Sequence, residues 1–573
     1  MRTQATDGRD VVVALVGVAP RRQVALALLA AALGMATVSP TGPCVGPAAA
    51  DPDPAGALDA PLHFFPDDPL RADRDHLDTP VRPAEIELSD LYDRFSHIIS
   101  DVGSTPIGSE ADNVNTLDEV PDSSWFTNRH GVRRMSVEGL VRGPDSGTGP
   151  DPDRSWEVFK SKSQGLTPGF QIADAEGERY VIKLDPIAVP RLSSAAEVIA
   201  TKLFYAMGYN TPENYIIYVD PARFTIRPGT MVSDRFGDKV PLTERRLHRM
   251  LRRVPRLADS RIRVTASKYI AGRPIGPFRY FGTRSDDPND VILHEQRREL
   301  RGLRLIAAWL NHDDTRAQNT QDSWVEEDGK HFVRHYLLDF GSTFGSGSVE
   351  IQLPNLSFHY WMDLDLIKKN AIAFGLHVPR YRKVEWPEFP EYAAVGRWEA
   401  EAFDPGAWKN DYPNPAFVRM TARDAFWAAK LIMSFTPEEL RAIVATGQLG
   451  DPEQERYFLD TLIERQRKCG RYGLNGLNPL DRFEVTDGRL AFVNLSELHG
   501  FVEGPSAYRV AWSVFDNASG TMRPIEGATE DFESGAAAGD AATGRAVVDG
   551  GAVSVALPAP PPPSASGAPG AGE

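Results

Sequence analysis

Apolar residues recur at helical spacing between 84 and 102, at Ile86, Leu91, Phe95, Ile98 and Ile99, and Gly103 supplies a stop. Strand-like runs follow at 158–162, 170–173 and 180–184, the last two joined by a turn at Glu176-Gly177. A helix is predicted over 194–207, with Ser193 as N-cap, Val198, Leu203 and Phe204 on the buried face, and Gly208 as stop. Strands at 212–219 and 262–271 lead to a long amphipathic helix over 290–310, with Leu293, Leu300, Leu303, Ile306 and Leu310 on or near one face. Two apolar stretches flanking Asp328-Gly329 predict a hairpin. Helical patterning then returns at 362–374, 421–434, 436–445 and 451–468. The third of these opens with the capping box Thr436-Pro437-x-Glu439, and Gly470 stops the last. Trp125, Phe126, Trp398 and Trp408 read as core anchors, and 483–514 as a small strand-rich unit. The pattern is α+β, strand-rich in its first half and helical in its second.

The 573 residues carry a formal net charge of −16, which disfavours nucleic acid as a partner because phosphate binding needs a basic surface. Cys44 and Cys469 are the only cysteines, so no disulfide framework exists. Arg21-Arg22, an apolar run over 24–38 and Ala48-Ala49-Ala50 read as an export signal over 1–50, preceded by a further apolar stretch at 11–18. The run is short for a stable transmembrane span, which takes about 20 apolar residues. A Pro/Asp/Ala-rich linker over 51–83 and an N-terminal helical extension over 84–150 follow. The remainder divides into 151–272, 273–480, a strand-rich embellishment at 481–530 and a disordered Gly/Ala/Pro tail at 531–573.

The chemistry concentrates in two stretches. In NHDDTRAQN, His312-x-Asp314 is followed after four residues by Asn319, and LLDFG carries Asp339-Phe340-Gly341. The spacing H-x-D-x4-N, a hairpin, and then D-F-G resembles the catalytic core of the protein-kinase-like superfamily. The resemblance spans about 156–345 and lies with atypical branches such as the HipA, CotH-like, secretory-pathway-kinase-like and phosphoinositide-kinase-like groups. It implies a bilobal fold, with a β-rich N-lobe at 151–272 and a helical C-lobe at 273–480.

The same resemblance implies roles. Asp314 accepts the proton of an attacking hydroxyl, and Asn319 and Asp339 hold Mg²⁺ against the phosphates of ATP. Lys183, in YVIKLDP, grips phosphate and pairs with Glu197 on the following helix. Ser163, Gly165, Thr167 and Gly169 form a phosphate-facing loop, although no G-x-G-x-x-G is present. Lys268 and Ile270 flank the hinge and offer backbone groups to adenine. Asp313 replaces the arginine of H-R-D, and no A-P-E follows D-F-G, so loop phosphorylation and a peptide platform are not expected. The acceptor, whether protein, lipid or small molecule, is open. A catalytically silent envelope module and an AMP-transferring enzyme remain alternatives. The signal reading predicts that the mature chain in its native host begins after about Ala50, outside the cytoplasm. N-terminal sequencing of the fractionated protein checks this, and an intact Met1 in the cytosol would remove it.

Overall fold

The helix of the extension is set by polar contacts rather than by its apolar stripe. In a computed structural model it spans Asp90–Ile99 (α1) and is capped by Ser89. It turns Asp93, His97 and Ile98 inward and leaves Leu91, Phe95 and Ile99 exposed, so of the apolar stripe within the helix only Ile98 is buried as expected. Tyr412 Oη donates to Asp93 at 3.0 Å and Arg94 meets Asp411 at 2.8 Å, so hydrogen bonds and ion pairs choose the face. The residues described are 10–18, 77–115, 117–162, 168–233, 238–386, 394–486, 489–502, 507–516, 521–533, 547–549 and 552–556. They divide into one unit at 69–477 and another made of 1–68 with 478–573.

In the larger unit, Trp156–Ser161 (β1), Gly169–Ala173 (β2) and Arg179–Leu184 (β3) form an antiparallel meander. Asn214–Val219 (β4), Phe224–Ile226 (β5) and Ile262–Lys268 (β6) complete a six-stranded sheet in the order β4-β6-β3-β2-β1-β5, with only the β1–β5 pairing parallel. Trp156, Val158, Phe170, Ile172, Ile182 and Val264 form its core with Leu247 and Leu251 of the helix Glu244–Leu251. Leu192–Met207 (α2) lies against β4 and β6. It buries every residue but Tyr205, as a helix packed on several sides must. Ser193 is not its N-cap. Arg191 holds that position without a side-chain bond, and Asp185 accepts the Ser194 N–H at 3.0 Å, capping the helix from the end of β3.

The helical half is built on Arg298–Leu310 (α3), which starts eight residues later than its apolar pattern suggests. Residues 294–296 form only a 3₁₀ turn, and Asn113 of the extension accepts the Arg298 N–H at 2.8 Å. Ala422–Met433 (α4), Pro437–Ala445 (α5) and Pro452–Leu474 (α6) follow, the first two with complete capping boxes. Gly470 does not stop α6. The helix runs on to Leu474, and Gly473 lies against the Ala425 carbonyl, where a Cβ would sit 2.5 Å from the oxygen. Trp309 Nε1 donates to Leu462 at 3.0 Å, and buried Arg465 donates to the Trp309 and Ala308 carbonyls, locking α3 to α6. Thr320–Glu327 (β7) and Lys330–Leu337 (β8) make the expected hairpin, turning at positive-φ Asp328 and Gly329. Trp125 stacks on His335 of β8 at 3.5 Å, and Trp398 and Trp408 are buried.

In the other unit, Asp10–Val18, Ala507–Asp516 and Thr521–Glu533 form one antiparallel sheet. Leu480–Thr486, Arg489–Asn494, Ala552–Ala556 and Val547–Asp549 form a second. Strands therefore occupy part of the segment read as signal and part of the Gly/Ala/Pro tail, at valine-rich stretches that favour strand. Residues 19–50, with the apolar run and cleavage site, lie outside the described residues, as do 534–546 and 557–573.

Asn113 also donates to Glu299, so Asn113→Ala would leave a buried N–H and a buried carboxylate short of partners. The expected loss is about 1–3 kcal/mol in urea denaturation. An unchanged midpoint would show that the extension does not support α3.

Candidate active site

Lys183 is at the centre of the site because β3 alternates: Ile182 and Leu184 enter the hydrophobic core, while Val181 and Lys183 line the cleft on the opposite face. Its Nζ lies 2.7 Å from Glu197 Oε2 and 2.8 Å from Asp339 Oδ1. Glu197 stands in the second turn of α2, and Asp339 follows β8. Burial alone would disfavour a charged lysine, but the two carboxylates outweigh it and hold the Lys183 pKa above its ordinary value. Asp339 is held well below the usual carboxylate range: burial opposes ionisation, and Lys183 with Lys162 overcomes it. Glu197, almost fully buried, is pushed up by desolvation, with Lys183 and the Phe340 N–H acting against the rise.

The D-F-G stretch is shaped by contact with α2. Asp339 has a left-handed φ of 57°, uncommon outside glycine. Phe340 is fully buried and stacks on Phe204 of α2 at 4.7 Å, and the His312 ring lies 5.7 Å from Phe340 and 5.9 Å from Phe204. A Cβ at Gly341 would sit 2.7 Å from Ser193 Oγ and 3.2 Å from Glu197 Oε2, so only glycine lets the loop pass the helix.

In the loop after α3, Asn311 ends the helix in a left-handed conformation. Asn319 Nδ2 donates to the Asp314 carbonyl at 2.8 Å, which leaves its amide oxygen as the end free to meet a ligand. Arg316 Nε lies 2.6 Å from Asp314 Oδ1, and its Nη1 lies 3.0 Å from Asp90 Oδ1 at the start of α1. Desolvation pushes the Asp314 carboxyl up to about 6, with Arg316 and Asn319 restraining the rise. Asp313 points into the protein toward Gln352, and burial, with Asp314 next to it, raises its carboxyl well above the ordinary value.

Lys183, Glu197, Asn319 and Asp339 line one cleft of about 430 Å³, with Leu88, Asp90, Lys162, Gln171, Val181, Ser267, Arg316 and Gln318 among the other walls. Sequence reasoning did not select Asp90, Lys162 or Arg316. Arg316 was legible as the one cation between Asp314 and Asn319, and Lys162 as a lysine where β1 enters the loop. Nothing local marks Asp90. Gly169 pairs with Lys183 across β2–β3, and a Cβ there would meet the Ile182 oxygen at 2.0 Å. Ser163, Gly165 and Thr167 lie outside the described residues. Lys268 does not offer its amide to the cleft: its N–H donates to Glu213 and that of Tyr269 to Arg179, because the strand ladder continues past β6. Its side chain meets Glu178 at 3.4 Å. Ile270, half-buried beyond that ladder, is not among the residues lining the cleft.

Sheet, helix and loops thus define a bilobal, kinase-like α+β chain whose cleft is lined by Asn319 and Asp339 of the two motifs, with Asp314 on the adjoining loop. No family model and no curated protein matches the chain. Among solved structures it is similar to a Helicobacter pylori proinflammatory kinase, CtkA, at 11% identity and a TM-score of 0.27, over 54% of this chain and 94% of that one. It is also similar to the Golgi casein kinase, at 10% identity and a TM-score of 0.29, over 59% and 76% of the two chains. The same kinase with Mn/ADP bound gives 11%, 0.24, 58% and 76%. The kinase-like assignment rests on the geometry above and not on likenesses of this size.

Lys183→Met would leave the buried Glu197 carboxylate without its cation and remove one from half-exposed Asp339, and the expected cost is about 3 kcal/mol by urea denaturation. Adding Glu197→Leu should recover part of that loss. Full stability in the single variant would show that the pair does not hold the lobes.

Proposed function

We propose that the chain is a Mg²⁺- and ATP-dependent phosphotransferase, exported and acting on a hydroxyl-bearing acceptor. The observation that carries this reading is Lys183 held between Glu197 and Asp339 in the same cleft as Asn319, with Asp314 on the adjoining loop. A fixed cation beside oxygen donors is what phosphate positioning requires, because phosphoryl transfer depends on placement and charge neutralisation. Lys183 would contact the phosphates, and Lys162 adds positive charge on the same wall. The Asp339 carboxylate and the Asn319 amide oxygen suit a hard cation. Bound Mg²⁺ would supply neutralisation of phosphate charge.

Asp314 takes the role of proton acceptor. Its carboxyl, pushed up to about 6, is a stronger base than an ordinary aspartate yet still mostly ionised near neutrality. Arg316 keeps it oriented and favours the ionised form.

A base must be deprotonated to act, so kcat/KM should rise with pH through about 6 and level above it. Asp314→Asn should lower turnover by about 10²–10⁴-fold and remove that limb, while thermal stabilisation by Mg²⁺-ATP persists. Asp339→Ala should lose the Mg²⁺-dependent part of that stabilisation as well as turnover. Asp313→Asn should keep both. If the parent shows no stabilisation by ATP with Mg²⁺, the phosphotransferase reading fails and a silent module takes its place.

A further inference from the structure

The helical half presents a surface whose chemistry the phosphotransfer reading does not use. The helix Leu364–Ile372, capped by Asp363, buries none of its residues. Ile372, Phe374 and Leu376 are 79%, 93% and 84% exposed, and Leu364, Ile367 and Val378 are exposed beside them. Half-exposed Trp361, just before this helix, meets Phe95 of α1 edge-on at 5.9 Å.

Charge separates this face from the rest of the protein. Residues 364–385 hold Lys368, Lys369, Arg380, Arg382 and Lys383 against Asp365 and Glu385, in a chain whose formal charge is −16. Lys368 meets Asp365 at 3.8 Å and Arg380 meets Asp404 at 3.2 Å. Lys369, Arg382 and Lys383 form no ion pair with any other described residue.

We propose that this face docks onto an anionic lipid surface, with Ile372, Phe374 and Leu376 entering the interface and Lys369, Arg382 and Lys383 meeting headgroup phosphates. Protruding apolar side chains next to cations match an interfacial segment, which lies in the membrane plane rather than across it. No helix among the described residues is long and apolar enough to span. A protein partner gripping a helix would favour a lined groove, whereas side chains exposed by more than three-quarters project outward. The proposal does not depend on catalysis.

The test is co-sedimentation of the full chain with phosphatidylcholine vesicles, with and without phosphatidylglycerol. The parent should bind only the anionic vesicles, and added salt should weaken binding. Phe374→Ser/Leu376→Ser and Lys369→Glu/Arg382→Glu/Lys383→Glu should each lower the partition coefficient by about tenfold or more. Thermal unfolding at the parent's midpoint would show both variants folded, since neither touches the core. Equal binding to neutral vesicles, or variants that bind like the parent, would overturn the proposal. So would retention by an immobilised acidic peptide with no vesicle binding, which would make the face a protein-docking site.

Discussion

A single cation joins the parts of the larger unit. Lys183 stands on the sheet, Glu197 on the helix beside it and Asp339 on the loop after the hairpin, so one ammonium group ties three elements distant in sequence. Burying any of the three charges alone would cost several kcal/mol. Together they are tolerated only while the sheet, α2 and the D-F-G loop keep their places. The gain in such an arrangement is geometric definition more than stability, since buried ion pairs often little exceed their desolvation penalty.

Apolar packing sets the distances that the ion pairs require. Phe340 enters the core on one side of Asp339 and stacks on Phe204, with the His312 ring beside both. His312 begins the loop after α3, and burial lowers its pKa to about 4, so it is neutral at physiological pH and packs as an aromatic ring. The loop, the D-F-G stretch and α2 therefore pack around one aromatic cluster. Asp90 adds a tie from outside the two lobes by holding Arg316, which in turn holds Asp314. The extension is part of the site's architecture.

Spacing alone makes the centre of the site legible: two short motifs in order, a hairpin between them and a lysine strand ahead of a helix. Local rules also locate most elements, because capping boxes and turn residues act within a few positions of chain. They fail where a distant residue takes over a local task. Asp185 caps α2 in place of Ser193, and Asn113 starts α3 in place of any residue near 290. The inward face of α1 is misjudged from its apolar stripe because its partners, Tyr412 and Asp411, lie more than three hundred residues away. The Lys268 amide is taken by Glu213, which no pattern around Lys268 reveals.

Asp313 and Asp314 show how far apart two identical neighbours can be placed. Both follow His312 in a loop without regular structure, so local propensity cannot tell them apart. Asp313 faces the interior beside Gln352, and its amide neighbourhood is tied to the later chain by the Asp411 N–H donating to its carbonyl. Asp314 turns the other way, to Arg316, and its carbonyl accepts from Asn319. An interior carboxyl with no cation beside it gains by staying protonated; one with a guanidinium at 2.6 Å stays closer to ionised and can take a proton. The five-residue step to Asn319 is therefore a physical constraint as well as a pattern: it is the reach over which an asparagine amide can fold back and fix the backbone at Asp314.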